Sequence, residues 1–141
     1  VMTATMLTGS PEMSRHRRQH TAPFLALPKH LIRSAAFEAL SSSAIKLLLQ
    51  LGEQYNGSNN GNLQASWTSL KDKGWSSKGT LNRATMELQD KGFLKKTRQG
   101  YLRPHRCSLF ALTWRPIDHC DGIHDENPTR VAENTWKQYK P

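Results

Sequence analysis

The 141-residue chain predicts a mainly helical α+β domain with a short β-hairpin and flexible termini. Three observations predict it. Apolar residues recur at helical spacing in four segments between Leu31 and Leu88, and two strand-like segments, Phe93 to Thr97 and Cys107 to Trp114, flank a turn punctuated by Gly100 and Pro104. The two ends carry no such period, and the length suits one domain with one core.

Residues 1–22 hold few aliphatics, and Arg15, Arg17 and Arg18 sit there among polar residues, the composition of a disordered basic arm. The domain spans residues 23–116. In FLALPKHLIRSAAFEAL, Pro28 suits a first helical turn and Leu31, Ile32, Ala35, Ala36 and Leu40 form an inner face, with a break expected near Ser34. Ser41, Ser42 and Ser43 offer N-caps for SSSAIKLLLQLGEQY, whose Leu47, Leu48 and Leu51 make it the centre of the core. NGSNNGN over residues 56–62 forms a turn, and Leu63-Gln64-Ala65 is long enough only to add an edge to a later hairpin.

Ser66 caps a short helix, WTSLKDKG, which ends at Gly74. After the turn at Trp75 and Ser76, Ser77 caps a helix running to about Lys91, and Gly92 closes it in a left-handed conformation. Phe93 to Thr97 and CSLFALTW then make a hairpin around RQGYLRPHR. The order is helix, helix, short strand, helix, turn, helix, strand, loop, strand, which is that of a winged helix-turn-helix. Residues 117–141 lose the pattern and read as a C-terminal tail, in which NTWKQY can add a short helix packed through Trp136 and Tyr139.

The formal charge of +9 points to polyanionic company, and its location says more than its size. Residues 71–115 carry eleven Lys and Arg against three acids, a surplus of 8, whereas residues 118–141 carry five acids against Arg130, Lys137 and Lys140. Two cysteines are too few for a disulfide framework. No stretch approaches the roughly 20 apolar residues of a membrane span, and the opening residues lack the apolar run of a secretory leader. A cytoplasmic protein with no membrane association is therefore expected.

On the helix that follows Ser77, Leu81, Ala84 and Leu88 form one side, while Gly79, Asn82, Arg83 and Met86 form the other. Arg can donate two hydrogen bonds to guanine O6 and N7, and Asn can pair with adenine N6 and N7, so this side suits a DNA major groove. Lys78 near the helix start and Ser76 or Ser77 at the cap are placed for phosphate. The hairpin cations Lys95, Lys96, Arg98, Arg103 and Arg106, with His105, make a wing for backbone or minor groove, Arg103 and Arg98 being the leading probes. Arg15, Arg17 and Arg18 would add affinity without sequence information.

His105, Cys107, His119, Cys120 and His124 lack the paired spacings of a structural zinc site, so no metal or other cofactor is expected. Neither a Gly-rich phosphate loop nor a catalytic triad or carboxylate pair stands in a recognisable context, so an enzyme is not expected.

Three segments resemble a known group. FLALPKHLIRSAAFEALSSSAIKLLLQLGEQYNGSNNGNL with its YNG and NNG turn, SSKGTLNRATMELQDKGFL, and the ending FALTWRP are together similar to the small winged helix-turn-helix proteins of bacterial plasmids, phages and integrative elements, which are related to the N-terminal domains of replication initiators. The resemblance implies double-stranded DNA as partner, nucleoid or plasmid association, and a recognition helix holding Ser77, Lys78, Thr80, Asn82 and Arg83. It implies DNA binding but not a role, and the role expected is that of a transcriptional repressor, regulator or maintenance factor of a mobile element. A replication-initiation accessory protein, a single-strand binder using Trp67 and Trp75, and a protein-interaction module stay open. So does the arrangement on DNA, as a homodimer or as several copies on repeated sites.

Overall fold

A computed structural model describes residues 22–103 and 105–141. The basic-arm expectation, with Arg15, Arg17 and Arg18, falls outside the described residues. Among the described residues, five α-helices precede an antiparallel hairpin: α1 Lys29–Ile32, α2 Ala35–Glu38, α3 Ser42–Gln54, α4 Trp67–Leu70, α5 Lys78–Asp90, β1 Leu94–Arg98 and β2 Leu109–Leu112. Single 3₁₀ turns follow at Cys120–Gly122 and Thr135–Gln138. The molecule is thus a small, mainly helical α+β fold.

Serines punctuate the helices. Ser34 Oγ donates to Leu31 O (2.6 Å) and accepts from Phe37 N (3.1 Å), ending α1 and starting α2. Ser41, Ser66 and Ser77 cap α3, α4 and α5 by accepting from Ala44 N, Ser69 N and Thr80 N. Such caps satisfy amides that a helix start leaves without partners, each contributing about 1 kcal/mol.

Helices α3 and α5 pack together, and Leu47, Leu48, Leu51, Leu81 and Leu88 are each at most 1% exposed. Apolar area removed from water there stabilises the fold at about 25 cal/mol per Å². Gly92, at φ +85°, turns the chain out of α5 into the hairpin. A Cβ there would also lie 2.6 Å from the Thr135 carbonyl carbon and the Trp136 nitrogen, so both conformation and space require glycine.

The hairpin register pairs Leu94 with Leu112, Lys95 with Ala111, Lys96 with Phe110 and Arg98 with Leu109, leaving a bulge at Thr97. On the outer edge of β2, Leu63 forms the expected edge as a single bridge, exchanging hydrogen bonds with Phe110 at 3.1 and 2.9 Å. Being central, β2 is buried at all four residues.

Residues 117–141, expected to be a flexible tail, instead close over the domain. Ile117, His124 and Trp136 are 3%, 6% and 4% exposed, and Asp125 N and Asn134 N donate to Thr97 O and Thr113 O. Trp136 lies parallel to Phe93 at a centroid distance of 6.4 Å, and its ring is 5.2 Å from that of His30. The absence of periodicity that suggested a tail reflects anchoring by isolated residues.

Asn60 connects the turn after α3 to the end of β2. Wholly buried, it donates from Nδ2 to Leu112 O, Pro116 O and Arg115 O, accepts from Leu112 N at 2.7 Å, and gives its own amide to Asp118 Oδ2. The NNG turn and the LTWRP ending are therefore two halves of one hydrogen-bonded unit.

Candidate nucleic-acid interface

The outer side of α5 is set by how its inner side is held. Leu81, Ala84, Thr85 and Leu88 are buried, which leaves Asn82, Arg83 and Met86 in solvent. The Glu87 carboxylate reaches across to the start of α3, accepting from Ser41 N and Ser41 Oγ, both at 2.7 Å, with Lys91 Nζ at 3.6 Å. Burial pushes this carboxyl up, but the Ser41 hydrogen bonds and the Lys91 charge outweigh it and hold it below the usual Glu value.

The turn between α4 and α5 is latched to α3. Gln50 donates to Lys73 O (2.9 Å) and accepts from Trp75 Nε1 (2.7 Å), and Lys46 Nζ donates to Gly74 O (2.6 Å). Trp75 is 7% exposed and belongs to the core, and Trp67 packs against it. Of the two tryptophans that the sequence offers as platforms for unpaired bases, Trp75 is in the core and Trp67 is half-buried against it.

At the N-terminus of α5, Ser76, Ser77 and Lys78 are exposed and Thr80 is half-buried. Ser77 Oγ and Thr80 Oγ1 lie 2.9 Å apart, and Arg83 Nη2 donates to Thr80 Oγ1 at 3.3 Å, the only hydrogen bond of that guanidinium to the described residues. Between α5 and the hairpin runs an open cleft of about 340 Å³ lined by Ser66, Asn82, Met86, Gln89, Lys96 and Ser108, among others. None of its lining residues is a carboxylate.

The expected wing cations divide. Lys96 and Arg103 are exposed, Lys96 Nζ donating to Gln99 Oε1 at 3.1 Å and to no other described residue, and His105 is exposed beside Cys107 Sγ at 3.7 Å. Lys95 instead bonds Glu133 (2.8 Å) and Glu126 (3.4 Å). Its hydrogen bond to Glu133 and the two negative charges raise its pKa against the opposing effect of burial. Arg98, expected as a leading probe, turns inward: Nε and Nη2 donate to Cys107 O at 3.2 and 2.8 Å, and Nη1 reaches Ile123 O at 3.4 Å. Arg106 lies 5.5 Å over the Tyr101 ring and donates to its hydroxyl at 3.1 Å. Lys95 and Arg98 thus tie the hairpin to the C-terminal segment, through partners that are remote in sequence, whereas Arg106 braces the turn locally through Tyr101.

Of the eleven cations between residues 71 and 115, only Lys91 and Lys95 form ion pairs with described residues. Sequence reasoning missed Gln89 as a cleft residue, although its spacing of seven from Asn82 puts both on one helical side. His105 and Cys107 sit on the hairpin, while His124 bonds through Nε2 to Asp118 O (2.7 Å) and through Nδ1 accepts from Glu126 N (3.2 Å) within the C-terminal segment. Since Nδ1 accepts, Nε2 carries the proton and donates to that carbonyl. No group of three or more His, Cys, Asp or Glu among the described residues is arranged to hold a metal ion, and no helix there is long and apolar enough to cross a membrane.

A scan against protein-family models, a search of curated proteins and a search of solved structures each return no match for this chain.

Proposed function

We propose that the chain is a sequence-specific double-stranded DNA-binding protein of winged helix-turn-helix type, with α5 as recognition helix and the β1–β2 hairpin as wing. The observation that carries this reading is the cleft in which Asn82 and Met86 of α5 face Lys96 of the hairpin with no carboxylate along its lining. Polar and apolar groups for base edges thus stand beside a cation for phosphate. Asn82 would take an adenine edge, Arg83 a guanine edge, and Met86 a thymine methyl. Lys96, Lys78, Ser77 and the free amides of α5 would hold flanking phosphates and set the register without reading sequence.

Occupancy of a promoter by such a domain suits a cytoplasmic repressor or maintenance factor of a mobile genetic element. The single-strand reading loses its aromatic platforms, because Trp75 is in the core and Trp67 packs on it. Selection from a random duplex library, with footprints at two salt concentrations, tests the proposal: an enriched motif and a steep loss of affinity with salt are expected, and retention of no duplex at low salt refutes it. On the enriched site, Arg83→Ala should cost about 1–3 kcal/mol at one base position, while Lys96→Ala should weaken cognate and random duplex equally and lower the salt slope by about 1. Equal losses on both duplexes from both substitutions would remove the groove assignment.

A further inference from the structure

The neck of the hairpin is braced more firmly than a phosphate contact needs. Tyr101 N and Arg106 N each donate to the other's carbonyl at 2.8 Å, the Arg106 guanidinium lies on the Tyr101 ring, and Gly100 N donates to Ser108 Oγ at 2.9 Å. The strands cross so closely there that a Cβ on Gly100 would meet Arg106 O and Ser108 N at 2.5 Å. Beyond this neck stands Leu102, 83% exposed, the most exposed large apolar side chain among the described residues. Arg103 beside it is exposed as well, and residues 94–112 contain no Asp or Glu.

Hairpin turns ordinarily carry Gly, Asn or Asp, for conformational reasons and for solubility. An apolar side chain just beyond a braced neck, in a hairpin whose only charged residues are cations, is suited to one act on duplex DNA: insertion between adjacent base pairs from the minor groove, while neighbouring cations hold the backbone. We propose that Leu102 is such a wedge and that the hairpin therefore kinks the duplex it binds, with Arg103 on the adjoining groove wall. This rests on the duplex-binding reading above. A kink opens the minor groove at the wedge and bends the duplex toward its major groove, which brings more flanking backbone within reach of the cationic surface.

The test uses a short straight duplex and the same duplex carrying an unpaired bulge, which is already kinked and unstacked, with the full chain titrated against each. Wild type should bind the bulged duplex about tenfold more tightly, because the unstacking is done in advance. Leu102→Ala should abolish that preference while changing straight-duplex affinity by less than about twofold, and Leu102→Met should retain it. Arg103→Ala should weaken both duplexes by a similar factor. End-to-end energy transfer on the straight duplex should rise on saturation with wild type and stay flat with Leu102→Ala. A preference that survives Leu102→Ala, or wild-type binding with no preference and no change in energy transfer, overturns the wedge and leaves duplex binding intact. Failure of wild type to bind either duplex at low salt overturns both readings. Loss by Leu102→Ala of binding to anionic phospholipid vesicles, with both duplexes unaffected, would identify a membrane contact and also overturn the wedge.

Discussion

Along β1 of the β1–β2 hairpin Lys95 meets two carboxylates and Arg98 meets two backbone carbonyls, whereas at the tip Arg103 and Leu102 face solvent. The two regions lie a few residues apart in one basic run, yet one fastens the C-terminal segment to the sheet and the other is free to meet a partner. Charge density along a sequence therefore overcounts the cations available to a polyanion. The overcount is largest where an acidic segment follows in the chain, since Glu126 and Glu133 supply the partners of Lys95.

Detaching the C-terminal segment is the strongest way to break this division. Trp136→Ala removes the side chain that stacks on Phe93 and should destabilise the fold by about 3–5 kcal/mol, read as a lower urea midpoint. Asn60→Ala strands three carbonyls and one amide at the end of β2 and should cost about 3 kcal/mol by the same measurement. Unchanged midpoints would mean that the segment does not close the domain.

Exchanging the two kinds of cation sharpens the comparison. Arg103→Ala should lower the salt slope of duplex binding by about 1, whereas Lys95→Ala should leave it unchanged and lose at most about 1 kcal/mol of stability. The opposite pattern would reverse the assignment of strand and tip. Because the folded-state pKa of Lys95 is raised, its contribution is fully present below the unfolded value and is lost as pH rises through the folded one, so a double-mutant cycle with Glu133 should shrink above about pH 10.

The smallest effect belongs to Glu87, whose folded-state pKa is lowered. Its contribution is present above the unfolded value and is lost as pH falls through the folded one, so Glu87→Gln should flatten the stability curve only below about pH 4. An acid limb as steep in the variant as in wild type would show that the Ser41 contact does not hold α3 against α5.

Local chemistry made the helices and their ends readable. Ser34, Ser41, Ser66 and Ser77 lie where caps are needed, Gly92 lies at the left-handed exit of α5, and the period of Leu81, Ala84 and Leu88 places Asn82 and Arg83 outward. Each of these depends on neighbours within about one helical turn, and such signals survive in the linear order of residues. The two-stranded hairpin and the Leu63 edge were readable for the same reason, as short apolar runs separated by turn residues.

What the tertiary structure alone decided was which of these residues are occupied. Arg98 and Arg103 are indistinguishable as sequence, but Arg98 finds Cys107 O and Ile123 O while Arg103 lies past the braced neck. Trp136 finds Phe93 across more than forty residues of chain, and Asn60 finds Pro116 across more than fifty. Contacts of that separation have no period and no local signature, because they depend on how the helices bring the ends of the strands together. By itself the chain determined its helices, its hairpin and the outward side of α5. Only folding settled that residues 117–141 are anchored to the domain through Ile117, His124 and Trp136, and that Lys78, Arg83, Lys96 and Arg103 stay exposed while Lys95 and Arg98 are engaged, since a side chain's availability is set by the neighbours it meets in space.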